Sequence, residues 1–144
     1  MIKVVLLMCG KNKLTSKAKA RDLYTSERFV KSIEYAKYIT SENNIFVLSA
    51  KYGLLELKAE IEPYDKSIYE MNISERTKWS NTVIGQLKRR YNLNEDMFIF
   101  LTDDFYCQDL YTKLTNCELP LKGLDQKNHI DWFNKMLTKK ENDK

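Results

Sequence analysis

The chain has 144 residues, of which 43% are hydrophobic, 12% aromatic and 31% charged, and its formal net charge is +4. This apolar and aromatic content is too high for a disordered chain, and the length is that of one ordinary domain. The longest apolar run, residues 4–9, is far shorter than the roughly 18 residues of a membrane-spanning helix. We expect a single domain over residues 1–138 and a frayed charged tail over residues 139–144, with no signal peptide and no membrane contact.

The cysteines and the single histidine argue against a metal site. Cys9, Cys107 and Cys117 form no Cys-x-x-Cys pair, and a structural zinc site would have to recruit carboxylates. We therefore expect no bound metal and no other cofactor. Unpaired, reduced thiols are typical of cytoplasmic proteins, which is the location we predict. A lone histidine such as His129 is more often a surface or interface residue than a general base.

Almost unbroken runs of β-branched and aliphatic residues predict buried strands at residues 2–8, 44–49 and 97–101, with a weaker fourth at residues 116–119. Such runs are typical of strands covered on both faces, as in parallel sheets. The first run begins at Ile2, and Cys9 and Gly10 interrupt it after Met8. The pattern indicates a sheet at the centre of the domain.

Between the strands, the apolar spacing changes to that of helices. The first predicted helix buries Phe29 and Ile33 after an N-cap at Thr25 or Ser26. The second begins after a cap at Asn72 or Ser74, and Glu75 follows Asn72 by three residues, as in a capping box. Further helices are predicted over residues 104–114 and 126–137. Strand and helix alternate four times, which predicts an α/β fold: a three-layer sandwich around a mainly parallel sheet of about four strands.

The ligand crevice of an open parallel sheet lies beyond the carboxyl ends of its strands, where this sequence is rich in glycine and lysine. Residues 1–21 hold no acidic side chain and six basic ones, namely Lys3, Lys11, Lys13, Lys17, Lys19 and Arg21. A basic mouth to the crevice favours a polyanionic partner. The alternative is an ordinary solvated loop of lysines.

Several known sites can be excluded from their motifs. The sequence has no phosphate-binding P-loop, no three-glycine dinucleotide fingerprint and no Gly-x-Ser-x-Gly serine-hydrolase motif. What remains is a set of carboxylates close in sequence to aromatic residues: Asp22, Asp65, Asp103 and Asp104 beside Tyr24, Tyr64, Phe105 and Tyr106. Aromatic faces near cations are suited to holding a nucleobase and its phosphates.

Five segments resemble a widespread bacterial and phage family described as YaaA-like or peroxide-stress-like. They are Cys9-x-x-x-Lys13-Leu14, Ala20-Arg21-Asp22-Leu23-Tyr24-Thr25-Ser26, Leu48-Ser49-Ala50-Lys51-Tyr52-Gly53-Leu54-Leu55, Glu62-Pro63-Tyr64-Asp65, and Pro120-Leu121-x-Gly123-Leu124. The resemblance implies a fold similar to uracil-DNA glycosylase and a relation to base-modification enzymes and DNA-binding proteins. Members of this family commonly have serine at the position of Gly10 and histidine at the position of Tyr52. The departure of this chain at Tyr52 affects an activity carried over from the family more than base binding, because tyrosine can still donate a hydrogen bond.

We therefore expect a protein that handles a nucleobase in a nucleic acid or nucleotide, as an N-glycosidase or base-exchange enzyme. Asp65, with Asp22 second, would stabilise positive charge on the sugar or activate water. Cys9 is either a reactive thiolate or a packing residue. The predicted substrate contacts are phosphate ligands at Lys13 and Lys51, hydrogen bonds from Ser26 and Ser49, aromatic contacts from Tyr24, Tyr52 and Tyr64, and close backbone approach at Gly10 and Gly53.

Two alternatives remain open from the sequence. The first is a non-catalytic module that binds DNA, RNA or a nucleotide, related to stress or phage defence. The second is an interaction protein without a small ligand. The sequence does not specify the oligomeric state.

Overall fold

The computed structural model describes residues 1–143 and has a five-stranded sheet at its centre. The strands of this sheet are β1 (Lys3–Met8), β3 (Ile45–Ser49), β4 (Gly53–Glu56), β6 (Met97–Leu101) and β7 (Asn116–Glu118), in the order β4-β3-β1-β6-β7. β4 runs antiparallel to β3, and the other neighbours are parallel. A separate antiparallel ribbon pairs β2 (Ala18–Lys19) with β5 (Glu60–Ile61). The predicted mainly parallel sheet is confirmed.

The prediction of about four strands is wrong by one strand. β4 is only four residues long and follows β3 through a tight turn, so its sequence contains no extended apolar run. Gly53 begins this strand with a φ of +71°, a conformation that favours glycine. A Cβ at this position would also lie 2.5 Å from Oε1 of Gln86, the atom that accepts a hydrogen bond from the backbone of Leu54.

Five helices connect and flank the strands: α1 (Ala20–Leu23), α2 (Glu27–Ile39), α3 (Ile73–Lys88), α4 (Asp104–Cys107) and α5 (Gln126–Asn142). Both predicted N-terminal caps are confirmed. Ser26 Oγ accepts a hydrogen bond from the amide of Phe29 at 3.2 Å, and Asn72 and Glu75 exchange the two hydrogen bonds of a capping box.

Two helix lengths differ from the prediction. α4 ends at Cys107 instead of continuing to residue 114, because the chain must turn back to bring Asn116 beside Met97 in the sheet. α5 continues to Asn142, so residues 139–142 of the predicted tail are helical. Lys139 and Lys140 lie in its last turn, where positive charge complements the helix dipole.

The helices form layers on both faces of the sheet. The connections between the parallel strands β1 and β3 and between the parallel strands β3 and β6 run in opposite directions across the sheet, so right-handed crossovers place α2 and α3 on opposite faces. α2 packs against α5 through Tyr35 and Trp132, whose ring centroids are 5.2 Å apart. On the α3 side, the indole N–H of Trp79 donates to the carbonyl oxygen of Ser49 at 2.9 Å. Within residues 1–143, no helix is long and apolar enough to cross a membrane.

The strand order reverses between β1 and β6, and this reversal determines where a ligand can bind. β1 connects to β3 on one side, whereas β6 connects to β7 on the other. The loops that leave the carboxyl ends of β1 and β6 therefore diverge toward opposite faces of the sheet. Such divergence opens a crevice between the two strand ends.

His129 is fully buried in α5 within the single chain, so the expectation of a surface or interface histidine is wrong. Its Nε2 atom lies 3.3 Å from the carbonyl oxygen of Leu124, to which it donates in the neutral form. Burial lowers the pKa of His129 below its ordinary value, and the nearby positive charge of Arg28 lowers it further. The folded protein therefore favours the neutral imidazole.

We predict that acidification through the ordinary histidine pKa, about 6.5, destabilises the protein through His129. The contribution of the neutral imidazole is fully present above that pH and is lost as the pH falls below it, because the unfolded chain binds the proton more readily. Urea unfolding near pH 7.5 and near pH 5.5 measures the effect. The free energy of unfolding of a His129→Gln variant should change less between these two pH values than that of the wild type, whatever its absolute stability. An equal change in both proteins would contradict the prediction.

Candidate active-site crevice

A cavity of about 790 Å³ opens beyond the carboxyl ends of β1 and β6. Its lining comprises residues 8–13, Ser26 and Arg28 at the start of α2, residues 65–67, 69 and 70, and the side chains of Tyr106 and Gln126. We call this cavity the crevice. Its volume lies within the range of about 300–1,000 Å³ that is usual for small-molecule sites.

The charges that line the crevice are predominantly positive. Lys11, Lys13, Arg28 and Lys66 supply four cations against the two carboxylates of Asp65 and Glu70. A concave surface with an excess of one charge focuses its field and concentrates ligands of the opposite charge. The crevice is therefore suited to an anion.

Arg28 is the most enclosed of these cations, with 8% of its surface exposed. It forms no hydrogen bond and no ion pair with any group of residues 1–143. Burial lowers the pKa of its guanidinium, an effect that the nearby Tyr69, Tyr106 and Asp103 oppose. Sequence reasoning missed this residue, although its position two residues after the N-cap of α2 placed it at the carboxyl edge of the sheet.

A hydrogen-bonded network lies beside the crevice and contains three of the predicted site residues. Ser49 Oγ donates to the hydroxyl of Tyr64 at 2.8 Å, and the hydroxyls of Tyr64 and Tyr24 are 2.5 Å apart. Burial raises the pKa of both tyrosines, so both keep their protons at neutral pH. Lys13 links the network to the crevice, because its Nζ atom lies 4.9 Å from the ring centroid of Tyr64.

An aromatic cluster of Tyr69, Phe105 and Tyr106 lies on another side of the crevice. The ring centroid of Tyr69 is 5.1 Å from that of Phe105 and 5.6 Å from that of Tyr106. Tyr69 remains 41% exposed, so part of its ring is available to a ligand. The sequence did not indicate a role for Tyr69 in the site, because the residue lies in a short 3-10 turn that is remote in sequence from the strand ends.

Polar contacts hold this aromatic cluster in place. The hydroxyl of Tyr69 donates to the carboxylate of Asp103, and the side-chain amide of Gln126 donates to both of them at 2.8 and 3.0 Å. Asp103 also caps α4 by accepting a hydrogen bond from the amide of Tyr106 at 3.0 Å. The orientation of Tyr69 is thus tied to the end of β6.

Cys9 lines the crevice but is only 7% exposed. Its Sγ atom lies 3.2 Å from the hydroxyl of Tyr106. The other two cysteines, Cys107 and Cys117, are also free thiols, and burial raises the pKa of Cys117 to about 11. Within residues 1–143, no group of three or more histidine, cysteine, aspartate or glutamate side chains could hold a metal ion.

The structure divides the predicted site residues among four places, of which the hydrogen-bonded network of Tyr24, Ser49 and Tyr64 is one. The crevice contains Cys9, Gly10, Lys13, Ser26 and Asp65. A neighbouring cavity of about 270 Å³ is lined by Lys51, Tyr52 and Gly53, and Lys66 lines both cavities. Asp22 is exposed on α1 and lines neither cavity. The roles assigned to these residues stay predictions.

We predict that Tyr64→Phe destabilises the protein by about 1–3 kcal/mol, because it leaves the buried hydroxyl of Tyr24 without its partner and the O–H of Ser49 without its acceptor. Urea unfolding measures this change. Tyr111→Phe is the matched control, since the Tyr111 hydroxyl forms no hydrogen bond within the described residues 1–143. Equal losses of stability in the two variants would contradict a structural role for the network.

Comparison with known proteins places the sequence in a family. No curated protein matches it. The resemblance to YaaA-like proteins gains no support from these comparisons and stays a prediction. The family model DUF6884, described as a family of unknown function, matches residues 4–135. Since this match spans most of the chain, the protein belongs to the DUF6884 family.

Proposed function

We propose that this protein binds a nucleotide or nucleic acid in the crevice and cleaves or exchanges its N-glycosidic bond. The observation that supports the proposal is that Asp65, one of the two carboxylates of the crevice, shares this cavity with four cations and the exposed ring of Tyr69. Cations attract phosphate, and an aromatic ring can stack on a base. A carboxylate can stabilise positive charge that develops on the sugar between them.

The reaction requires a group that stabilises positive charge on the sugar. When the bond between the sugar C1′ and the base nitrogen breaks, the electron pair leaves with the base, and the sugar becomes an oxocarbenium ion. In hydrolysis, water adds to C1′, and its proton passes to the carboxylate or to the departing base; in exchange, a second base takes the place of water. Asp65 is exposed and forms no hydrogen bond within residues 1–143, so its carboxylate is available for either role.

The remaining predicted residues fit the two ends of such a substrate. Lys13 would contact phosphate at the crevice, while Lys51 and Tyr52 would extend the site into the neighbouring cavity. The ring centroids of Tyr52 and Tyr64 are 5.7 Å apart, which supports a continuous surface between the two regions. A longer substrate would lie across both cavities past Lys66.

We include in this proposal the relation to YaaA-like proteins and to the uracil-DNA-glycosylase fold that the sequence resemblance implies. The crevice at the carboxyl ends of β1 and β6 is where open parallel sheets generally bind ligands, whatever their chemistry. Chemistry at Asp65 is therefore the part that needs an experiment.

We predict that the wild-type protein releases free base from at least one member of a panel of nucleotides, base-modified DNA and tRNA, and that Asp65→Asn lowers the rate by about 10²–10⁴-fold. Chromatography of the released base measures it. Asp22→Asn tests the second sequence candidate, and Asp131→Asn, an exposed change on α5, is the matched control. Release by the control at the wild-type rate, with loss in Asp65→Asn, supports the proposal. Binding without release from any substrate would exclude the glycosidase activity.

The excess of cations also favours a second candidate, a module that binds nucleic acid without chemistry. In that case Asp65→Asn would leave binding intact. If all four crevice cations contact phosphates, the affinity for DNA should fall with salt, with a log–log slope of about −2.8 for single strands and about −3.6 for duplex. Fluorescence anisotropy with labelled oligonucleotides at increasing salt concentration measures this slope. A slope near zero would exclude binding through these cations.

A further inference from the structure

We propose that Arg28, the start of α2 and Gly10 form a subsite for a phosphate monoester, and that the natural ligand of the crevice is a mononucleotide with a terminal phosphate. The identification of the ligand as a nucleotide rests on the proposed function. The phosphate subsite itself rests on the geometry of these residues alone.

The first support is the environment of Arg28. A buried charge is costly unless it is paired, yet Arg28, a residue that is 8% exposed, has no hydrogen-bonding or ionic partner for its guanidinium within residues 1–143. Asp103 is near enough to act on its pKa but forms no ion pair with it, and its carboxylate instead accepts hydrogen bonds from Tyr69 and Gln126. The planar guanidinium offers paired N–H donors, which match two oxygens of a phosphate.

The second support is the end of α2 that meets the crevice. Ser26 uses its side chain to cap the amide of Phe29, and its carbonyl oxygen accepts from Val30. The amides of Glu27 and Arg28 have no partner in the part of the chain that the structure describes. Free amides at the positive end of a 13-residue helix are suited to binding an anion.

The third support is the space that Gly10 leaves at this point. A Cβ on Gly10 would lie 3.2 Å from Ser26 Oγ and 3.9 Å from Nη2 of Arg28. The end of β1 therefore passes close to both the cap of α2 and the guanidinium. A larger side chain at position 10 would occupy the space in front of Arg28.

The depth of Arg28 favours a terminal phosphate over a phosphate inside a chain. Lys11 and Lys66 are exposed, whereas Arg28 is enclosed, so the strongest phosphate ligand lies deepest in the crevice. An internal phosphodiester must let the chain leave on both sides, whereas a terminal phosphate enters end-on. A monoester also offers more negative charge and three free oxygens. The exposed ring of Tyr69 then remains available for the base.

Calorimetric titration and thermal unfolding test the subsite with four probes: inorganic phosphate, adenosine 5′-monophosphate, adenosine, and a short oligonucleotide with hydroxyl groups at both ends. We expect phosphate and the monophosphate to bind and to raise Tm, while adenosine and the oligonucleotide bind at least about tenfold more weakly than the monophosphate. Arg28→Met should weaken phosphate binding by about ten- to hundredfold. Arg28→Lys should recover part of the affinity, because it restores the charge without the paired donors.

A matched control and a second test variant complete the experiment. Arg89→Met removes the same charge from an exposed position at the end of α3 and should leave phosphate binding unchanged. Gly10→Val leaves Arg28 in place but fills the space before it, so it should weaken phosphate binding like Arg28→Met. If Arg28→Met does not fold, the Gly10→Val variant decides the question.

Three results would overturn the subsite: phosphate bound equally by folded Arg28→Met and wild type, no phosphate binding by wild type at tens of millimolar, or adenosine bound as tightly as its monophosphate. Equal binding of the oligonucleotide without terminal phosphates would overturn the preference for a monoester. Phosphate binding should survive in Asp65→Asn. Arg28-dependent phosphate binding without base release from any substrate would reject the proposed function and keep the subsite. Base release that is unaffected by added phosphate and by Arg28→Met would reject the subsite and keep the proposed function.

Discussion

The parallel pairing of β1 with both β3 and β6 is the constraint on which the fold and the crevice depend. Val5 lies opposite Ile45 on one side and Ile99 on the other, and the five residues from Val4 to Met8 are almost completely buried. A shift of one residue in this register would turn every side chain of β1 to the other face of the sheet. It would also move Cys9 and Gly10 relative to the end of β6. The core thus determines where the crevice residues meet.

The enclosed charge of Arg28 runs against the stability of this core. Burial of a guanidinium without a partner is unfavourable, and a packed apolar side chain of similar size would stabilise the folded state more. The nearby Asp103 could have neutralised Arg28, but its hydrogen bonds with Tyr69, Gln126 and the start of α4 direct its carboxylate elsewhere. Residues that oppose stability in this way are typical of binding sites.

The sequence predicts well those features that depend on local pattern and poorly those that depend on contacts between remote segments. The apolar runs identified β1, β3, β6 and β7, and the caps at Ser26 and Asn72 were read from adjacent residues. β4 was missed because its stability comes from pairing with β3 rather than from its own four residues. Tyr69 was missed because only the folded chain brings its 3-10 turn to the crevice.

The segments that carry the family resemblance contribute to the site mainly by holding one another in place. Tyr24, Ser49 and Tyr64 were predicted to contact substrate, yet their hydroxyls are engaged with each other. Their network joins the end of β3 to the residue that precedes Asp65 in the chain, so it fixes where that carboxylate emerges. In the proposed binding mode, ligand contact would therefore come from the ring faces of these tyrosines and from neighbours with unengaged polar groups, Arg28 above all. A search of related sequences for function should therefore weigh position 28 together with positions 10 and 65.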